Sequence, residues 1–463
     1  MSKVLFVMRA TTHFHYYRSI VEALLRRGHR VEAIFERYGE QWSPENYLEP
    51  VEELKKETDL FEYSKALNRA DSKKWIIRYA RMILNYNHNL NFENMPRYFR
   101  DRAVSTFPIA LKILFKTWLA RFLIERKIVG KLMRLIERSF PADKKIIEHI
   151  KSFRPDVVIA SAGNLTSNSG DIEYTKAAKE LNIKTVVPVI SWDFLTTKGA
   201  IHIIPDRLLV WNKFHEEEAL RYHRFPRKKM RIIGAPFFDK WFSLNGKEPE
   251  LDRKSFCSKY GLRPEDKIIL YLGSTGNIAS GDSESRVVRD LREALDNSSF
   301  QELQKTQIAV RAHPAHWKIF ETIKNIDNIK LIPEIGGVMP DNKNSLQLFY
   351  DSLYHSDVVV GLNTSGMIDS IVAGKPLIAM LVERHKSRQE KTAYFQQLLN
   401  SGAAGIARNT DEFLIEVKKI FDGFDERKPL RDAFIKEAIR PRGINISAGE
   451  AAAMEVENIL EKI

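Results

Sequence analysis

Short apolar runs of strand length recur along this chain, each leading through a polar loop into a segment of helical period. The first spans residues 3–8. A polar loop, 9–15, follows it, and in 17–27 the apolar residues Ile20, Val21, Leu24 and Leu25 return at helical spacing. Gly28 stops that helix and a second strand begins over 30–35. A strand without polar alternation is buried on both faces, and a βαβ connection covers both faces of a parallel sheet with helices. The same alternation resumes with strands over 156–161, 184–190, 207–211 and 231–234 and a helix over 171–181. It restarts after Lys267 with strands over 268–272, 308–311, 329–332, 358–360 and 377–379, and helices over 284–295 and 367–373.

A chain of 463 residues exceeds what one hydrophobic core serves. The expected fold class is α/β, with two Rossmann-like domains facing across a cleft and a basic helical insert in the first. The boundaries fall at 1–240 for the N-terminal domain, with the insert over about 58–150, and at 241–440 for the C-terminal domain. Residues 241–264 read as a polar connection. Residues 441–463 hold a C-terminal helix, capped by Ser447, that is expected to pack back on the first domain. Open parallel sheets bind ligands at the carboxyl ends of their strands, so a cleft between the halves is the expected site.

Charge is unevenly placed. The net charge is +13, and between Arg69 and Arg138 sixteen Lys or Arg face five Asp or Glu. Residues 109–138 read as one helix. On it Lys112, Lys116, Arg126, Lys127, Lys131, Arg134 and Arg138 share a sector, and Ile113, Leu114, Trp118, Phe122 and Leu135 lie mostly elsewhere. That pattern suits an anionic membrane surface. It also suits a solvated helical face, or phosphate on an acceptor. Nucleic acid ranks low as a partner, because no helix-turn-helix, zinc-finger or aromatic RNA-binding motif accompanies the charge. Cys257 is the single cysteine, which suits a reducing compartment. No signal peptide and no run of about 18 apolar residues is read. A cytoplasmic protein, peripheral on the inner face of the membrane, is expected.

Five motifs bear chemistry. Asn363-Thr364-Ser365-Gly366 follows a strand, with Asp369 and then Gly374-Lys375-Pro376 downstream. Small residues at a helix N-terminus expose N–H groups to a diphosphate, and Asp369 can bind both hydroxyls of a ribose. The same residues also make an ordinary N-cap. Gly273-Ser274-Thr275-Gly276 follows the first strand of the second half and can present N–H groups to an anion. Arg311-Ala312-His313-Pro314 ends a strand, where Pro314 fixes the turn and His313 would point to the ligand.

In the first half, His13 and His15 lie in the loop after the first strand, and His13 stands 15 residues before Gly28. A histidine suits removal of a proton from a hydroxyl. After a later strand comes Ser191-Trp192-Asp193-Phe194-Leu195-Thr196-Thr197-Lys198. Trp192, Thr196 and Lys198 suit sugar stacking and hydroxyl recognition, while Asp193 serves as base or orients His13. An Asx-turn beside a core tryptophan is the other reading.

The strand, Ser/Gly loop and helix with Asp369 five positions before Gly-x-Pro resembles the donor site of GT-B glycosyltransferases and of non-hydrolysing sugar-nucleotide epimerases, which usually carry Glu there. Gly273 to Gly276 is similar to the donor-phosphate loop of that superfamily. His313-Pro314 resembles an element of teichoic-acid polymerases and of some capsule and sialic-acid transferases, where the histidine lies near the nucleotide. His13 and its spacing to Gly28-His29 resemble the catalytic-base loop of inverting antibiotic and plant-type transferases, with Thr12 where glycine is usual. The 191–199 stretch looks like those of bacterial cell-surface glycosyltransferases.

The resemblance implies transfer of a sugar from a nucleotide donor to a lipid-linked or cell-surface glycan acceptor. The donor is expected to be a pyrimidine nucleotide sugar, used without a metal or other cofactor and with inversion. No Asp-x-Asp stands where it would hold a metal-bound donor. The alternatives are a CDP-polyol phosphotransferase, a nucleotide-sugar 2-epimerase, and a non-enzymatic lipid-binding scaffold.

Overall fold

The apolar runs become strands, and every pairing among the described strands is parallel. The computed structural model describes residues 1–38, 48–90, 92, 101, 103–105, 107–161, 170–244, 246–336 and 343–461. The remainder of the expected insert, chiefly 93–100, and the last two residues of the expected C-terminal helix lie outside the described residues. The chain forms two units, Met1–Asp239 with Glu437–Ile463, and Lys240–Lys436.

The first unit holds seven strands: β1 (Lys3–Ala10), β2 (Arg30–Arg37), β3 (Phe61–Lys65), β4 (Val157–Ala160), β5 (Lys184–Pro188), β6 (Arg207–Val210) and β7 (Met230–Ile232), in the order β3-β2-β1-β4-β5-β6-β7. Val4 to Val7 are buried because β1 is flanked on both edges, Val4 pairing with Val31 on one side and Val157 on the other. One face of the sheet, with Leu5, Val7, Ile34 and Val158, packs on Ile146, Ile150, Tyr174 and Ala177. Helix α1 (Phe14–Arg26) follows β1. Strand β3 lies where helix was expected. It is an edge strand of mostly polar residues with only Phe61 fully buried, so its sequence carries little strand signal.

The insert differs from the single helix expected over 109–138. After α2 (Lys74–Asn89) come α3 (Ile109–Lys116), α4 (Trp118–Ile124) and α5 (Lys127–Ser139). Thr117 and Arg126 break the helix with extended ψ values of 132° and 135°. The Thr117 hydroxyl donates to the Leu114 carbonyl at 2.7 Å, and the Asn87 amide donates to the carbonyls of Ile124 and Arg126 at 2.8 and 3.0 Å. Each takes an acceptor that a continuous helix would use. On the inner side Met82, Tyr86, Phe107, Leu111, Phe115 and Ile124 form their own cluster. Buried ion pairs tie this insert to α6 (Gly170–Glu180): Arg81 and Lys176 hold Glu137 at 2.7 and 3.0 Å, and Arg69 holds Glu173 at 2.8 Å. Helix α7 (Lys213–His223) lies between β6 and β7.

The second unit holds β8 (Ile268–Leu272), β9 (Gln307–Arg311), β10 (Ile329–Leu331), β11 (Val358–Gly361), β12 (Leu377–Met380) and β13 (Gly405–Ala407), in the order β10-β9-β8-β11-β12-β13. Helix α8 (Ser283–Asp296) follows β8 and α9 (Gly366–Val372) follows β11. The three-residue β13 was not expected. A helix at Arg253–Tyr260 occupies part of the stretch read as a connection.

The final helix, α10 (Ala448–Leu460), belongs to the first unit and packs on α1. Ser447 caps it by accepting from the Glu450 N–H at 3.0 Å. The Asp239 carboxylate accepts from the N–H groups of Ala448 and Gly449 at 3.1 and 2.9 Å and pairs with Arg440 at 2.8 Å. Gly449 is required by proximity, since a Cβ there would stand 2.2 Å from the Ser19 carbonyl oxygen.

Candidate active site

In both sheets the strand order reverses direction beside the first strand, between β1 and β4 and between β8 and β11. Connections leave such a point toward opposite faces, so the carboxyl ends of those two strands open a crevice.

At the β1–β4 point stands His13. β1 ends at Ala10, a short turn covers Thr11–His13, and α1 begins at Phe14. His13 is half-buried, and its Nδ1 is enclosed without a hydrogen-bond partner among the described residues. Burial pushes its pKa down to about 4. Asp171 works against that shift, while Arg9, Arg37 and Lys198 add to it. Asp171 stands at the start of α6, two residues from the end of the segment that follows β4. Its carboxylate accepts from the Ser161 hydroxyl at 2.6 Å. Glu36, at the end of β2, accepts from the N–H of Asp171 at 3.3 Å and so holds the helix start in place. A neutral imidazole in the field of a carboxylate can accept a proton and have its new charge stabilised.

His15 contributes to an aromatic cluster beside this point, with its ring 4.0 Å from Tyr16 and 5.6 Å from Phe237. The 191–198 motif differs from expectation. The Asp193 carboxylate accepts from the hydroxyls of Ser191 and Thr197 at 2.6 and 2.8 Å and pairs with Lys198 at 3.3 Å. Burial alone would raise its pKa, but Lys198 and those hydroxyls outweigh it and hold Asp193 below the usual range. A carboxylate so engaged is a poor base, and the acid in the field of His13 is Asp171. Trp192 and Thr196 are buried. The Trp192 carbonyl accepts from His215 at 3.2 Å, and the Thr196 hydroxyl donates to the Asp193 carbonyl at 3.3 Å. Neither is open to a sugar. Lys198 remains beside His13.

At the β8–β11 point the two loops divide into framework and open parts. Gly273 lets the loop pass against β9: a Cβ there would stand 2.9 Å from the His313 N. Ser274 is fully buried. Its N–H donates to Glu284 of α8 at 2.8 Å, so it is framework and not a free phosphate donor. Burial raises the Glu284 carboxyl to about 7 against the bonds from Ser274 and Tyr271. Asn363 is likewise turned inward, its amide donating to the Arg388 carbonyl at 2.8 Å and the Tyr394 hydroxyl at 3.0 Å. Thr275, Gly276, Thr364, Ser365 and Gly366 are the half-exposed or exposed members. The backbone N–H groups of Thr364, Ser365 and Gly366 have no partner among the described residues.

His313 is half-buried at the end of β9, with Nδ1 accepting from the Ala315 N–H at 3.1 Å. Burial and the neighbouring His316 push it down to about 4. Asp369 is buried, its Oδ1 accepting from the Trp241 indole N–H. Burial raises its pKa to about 6, against Lys240, that indole and Arg311. The carboxylate is therefore enclosed by Trp241 and two cations, which differs from an open ribose contact. Arg311 is buried at the end of β9, 4.5 Å from the Phe349 ring centroid. Lys240 and Arg311 both lie in the field of the Asp369 carboxylate.

Three participants were absent from the sequence reading. Asp171 was detectable as the acid opening the helix after the strand that borders β1. Trp241 lay in a stretch read as connection. His316 is near the His313 motif, its ring 3.5 Å from where a Gly276 Cβ would stand. Among the described residues no three His, Cys, Asp or Glu side chains gather as a metal site. No helix among them is long and apolar enough to cross a membrane.

No family model and no curated protein matches this sequence. Solved structures do match it over their whole length. A glycosyltransferase from Rickettsia africae superposes with a TM-score of 0.55 at 14% identity, covering 100% of this chain and 98% of its own. UDP-GlcNAc 2-epimerase from Neisseria meningitidis, bound to UDP-GlcNAc, gives 0.55 at 11% identity, with 99% and 100% covered. Arabidopsis thaliana UGT89C1 complexed with UDP gives 0.54 at 13% identity, with 99% and 100% covered. At these identities the likeness is one of fold: this chain shares the two-domain Rossmann-like architecture of GT-B glycosyltransferases and sugar-nucleotide 2-epimerases.

Proposed function

We propose that this protein is a glycosyltransferase that moves a sugar from a nucleotide donor to a lipid-linked or cell-surface glycan acceptor, without a metal ion and with inversion. The observation that carries the reading is His13, half-buried at the β1–β4 reversal and in the field of Asp171. His13 takes the proton of an acceptor hydroxyl. The hydroxyl oxygen bonds to the anomeric carbon as that carbon's bond to the diphosphate oxygen breaks, and the electron pair leaves with the nucleoside diphosphate. Asp171 stabilises the imidazolium so formed.

The donor is a uridine diphosphate sugar in this reading, since structures of the same fold are bound to UDP-GlcNAc or complexed with UDP. Its diphosphate meets the N–H groups of Thr364, Ser365 and Gly366, with Thr275 and Gly276 alongside and Arg311 supplying positive charge. His313 lies near the nucleotide. Asp369 acts through Arg311 and Lys240 rather than on the ribose. Arg9, Arg37 and Lys198 around His13 favour an acceptor that carries phosphate, as lipid-linked glycans do. Such an acceptor places the protein at the inner face of the cell membrane, in the building of envelope polysaccharide.

A sugar-nucleotide 2-epimerase is the second reading, favoured by the epimerases among the structures of this fold. One experiment separates the two. UDP-sugars are incubated with the protein, with and without membrane glycolipid, and products are identified by mass spectrometry and carbohydrate chromatography. Transfer predicts UDP release and a glycosylated lipid, both lost in His13→Ala. An epimeric UDP-sugar formed without acceptor would overturn the transferase reading.

A further inference from the structure

The insert carries a run of large apolar side chains on its outer surface. In α4, Trp118 is 77% exposed, and Leu119, Phe122 and Leu123 are about half exposed. In α3, Ile109 and Ile113 are 76% and 59% exposed. In α5, Ile128, Leu132 and Leu135 lie outward, at the spacing of one helical face. These side chains are not left over from a poorly filled interior. Leu111, Phe115 and Ile124 of the same helices already fill the inner cluster with Tyr86. The buried Arg81–Glu137–Lys176 network fixes the opposite side of α5 to the domain. Breaking the helix at Thr117 and Arg126 turns three short apolar faces outward together with the cations.

Interspersed with them are Lys116, Arg121, Arg126, Lys127, Lys131 and Arg138, all exposed. Arg126 stacks on Phe122 at 3.8 Å. The two acids between 109 and 138 offset little of this charge: Glu137 is buried, and half-buried Glu125 pairs with Arg121 alone of the six, at 2.9 Å. A second copy of this face would bring like charges together. A phosphodiester chain offers nothing to bury so much aliphatic and aromatic surface. A partner must supply hydrocarbon and negative charge side by side.

We propose that the outer face of α3, α4 and α5 is a docking surface for an anionic lipid bilayer. Trp118, Leu119, Phe122 and Leu123 enter the boundary between head groups and acyl chains, and the surrounding cations meet lipid phosphate. This deepens the membrane-acceptor reading above. It is tested without any sugar nucleotide, so its failure leaves the transferase assay to be judged on its own.

The test is cosedimentation of the full chain with phosphatidylglycerol–phosphatidylcholine vesicles and with phosphatidylcholine vesicles. The wild type is expected to pellet with the anionic vesicles and to be released by salt. The variant Trp118→Ser/Leu119→Ser/Phe122→Ser is expected to bind at least ~10-fold more weakly. Its melting curve should be unchanged, because those side chains are outside. Lys127→Gln/Lys131→Gln is expected to lose about fivefold per lysine, which keeps the test decisive if the triple variant does not fold. Three results would overturn the proposal: no binding to anionic vesicles, binding that the Ser substitutions leave intact, or a dimer of the wild type that they dissolve.

Discussion

With its pKa held near 4, His13 is uncharged at neutral pH, and its lone pair is available to a hydroxyl. The transferase rate should therefore be flat near neutrality and fall as pH drops through about 4, where the base is protonated. His13→Ala should lower kcat by ~10²–10⁴-fold and leave UDP binding unchanged, as read by steady-state kinetics beside calorimetry. Asp193 should behave differently. Asp193→Ala removes the partner of Ser191, Thr197 and Lys198, so it should cost about 1–3 kcal/mol of stability in urea unfolding. Asp171→Asn should instead act on kcat. The place of His13 in the loop after β1 was legible because that loop and its spacing to Gly28 are local. Its partner was not, because the neighbour of β1 is set by strand order: β4 borders it and β5 does not. Likewise, Ser274 and Asn363 have the composition of phosphate ligands, and only the buried Glu284 and Tyr394 beside them disclose framework roles.

At the scale of elements, wholly apolar strands such as β1, β8 and β11 declared themselves, while the polar edge strand β3 and the three-residue β13 did not. Periodicity also hid the breaks at Thr117 and Arg126: the first uses the threonine's own hydroxyl, and hydrogen bonds from the distant Asn87 help make the second. The insert's attachment gives a prediction in acid. Burial alone would raise the Glu137 carboxyl, but Arg81 and Lys176 hold it at about 2 against an ordinary 4.5. A depressed folded pKa contributes stability that is complete above about 4.5 and is lost as pH falls toward 2. Glu137→Gln should remove that part of the acid limb in urea unfolding followed from pH 7 to pH 3. At pH 7 it should cost about 3 kcal/mol, since Lys176 stays buried without its counter-charge while Arg81 keeps Glu173. On the other side of the unit, Gly449→Ala sets a methyl against the Ser19 carbonyl. It should lower the melting temperature by several degrees, at a cost of about 1–3 kcal/mol.

At the scale of the whole molecule, two parallel sheets were readable because strand-length apolar runs and helical periods alternate twice, whereas their reversal points were not, because strand order sets them. The same alternation is common to transferases and epimerases, so fold alone does not choose the reaction. The central claim is that the β8–β11 point holds a nucleoside diphosphate. Its most direct test is calorimetric titration with UDP, CDP, dTDP and GDP, on the wild type and on Ser365→Phe, which crowds the exposed loop without touching the core. The account predicts that UDP binds with a Kd on the order of micromolar, about −8 kcal/mol, and that Ser365→Phe abolishes binding at an unchanged melting temperature. Failure of every nucleotide to bind, or UDP binding that Ser365→Phe leaves intact, would contradict it.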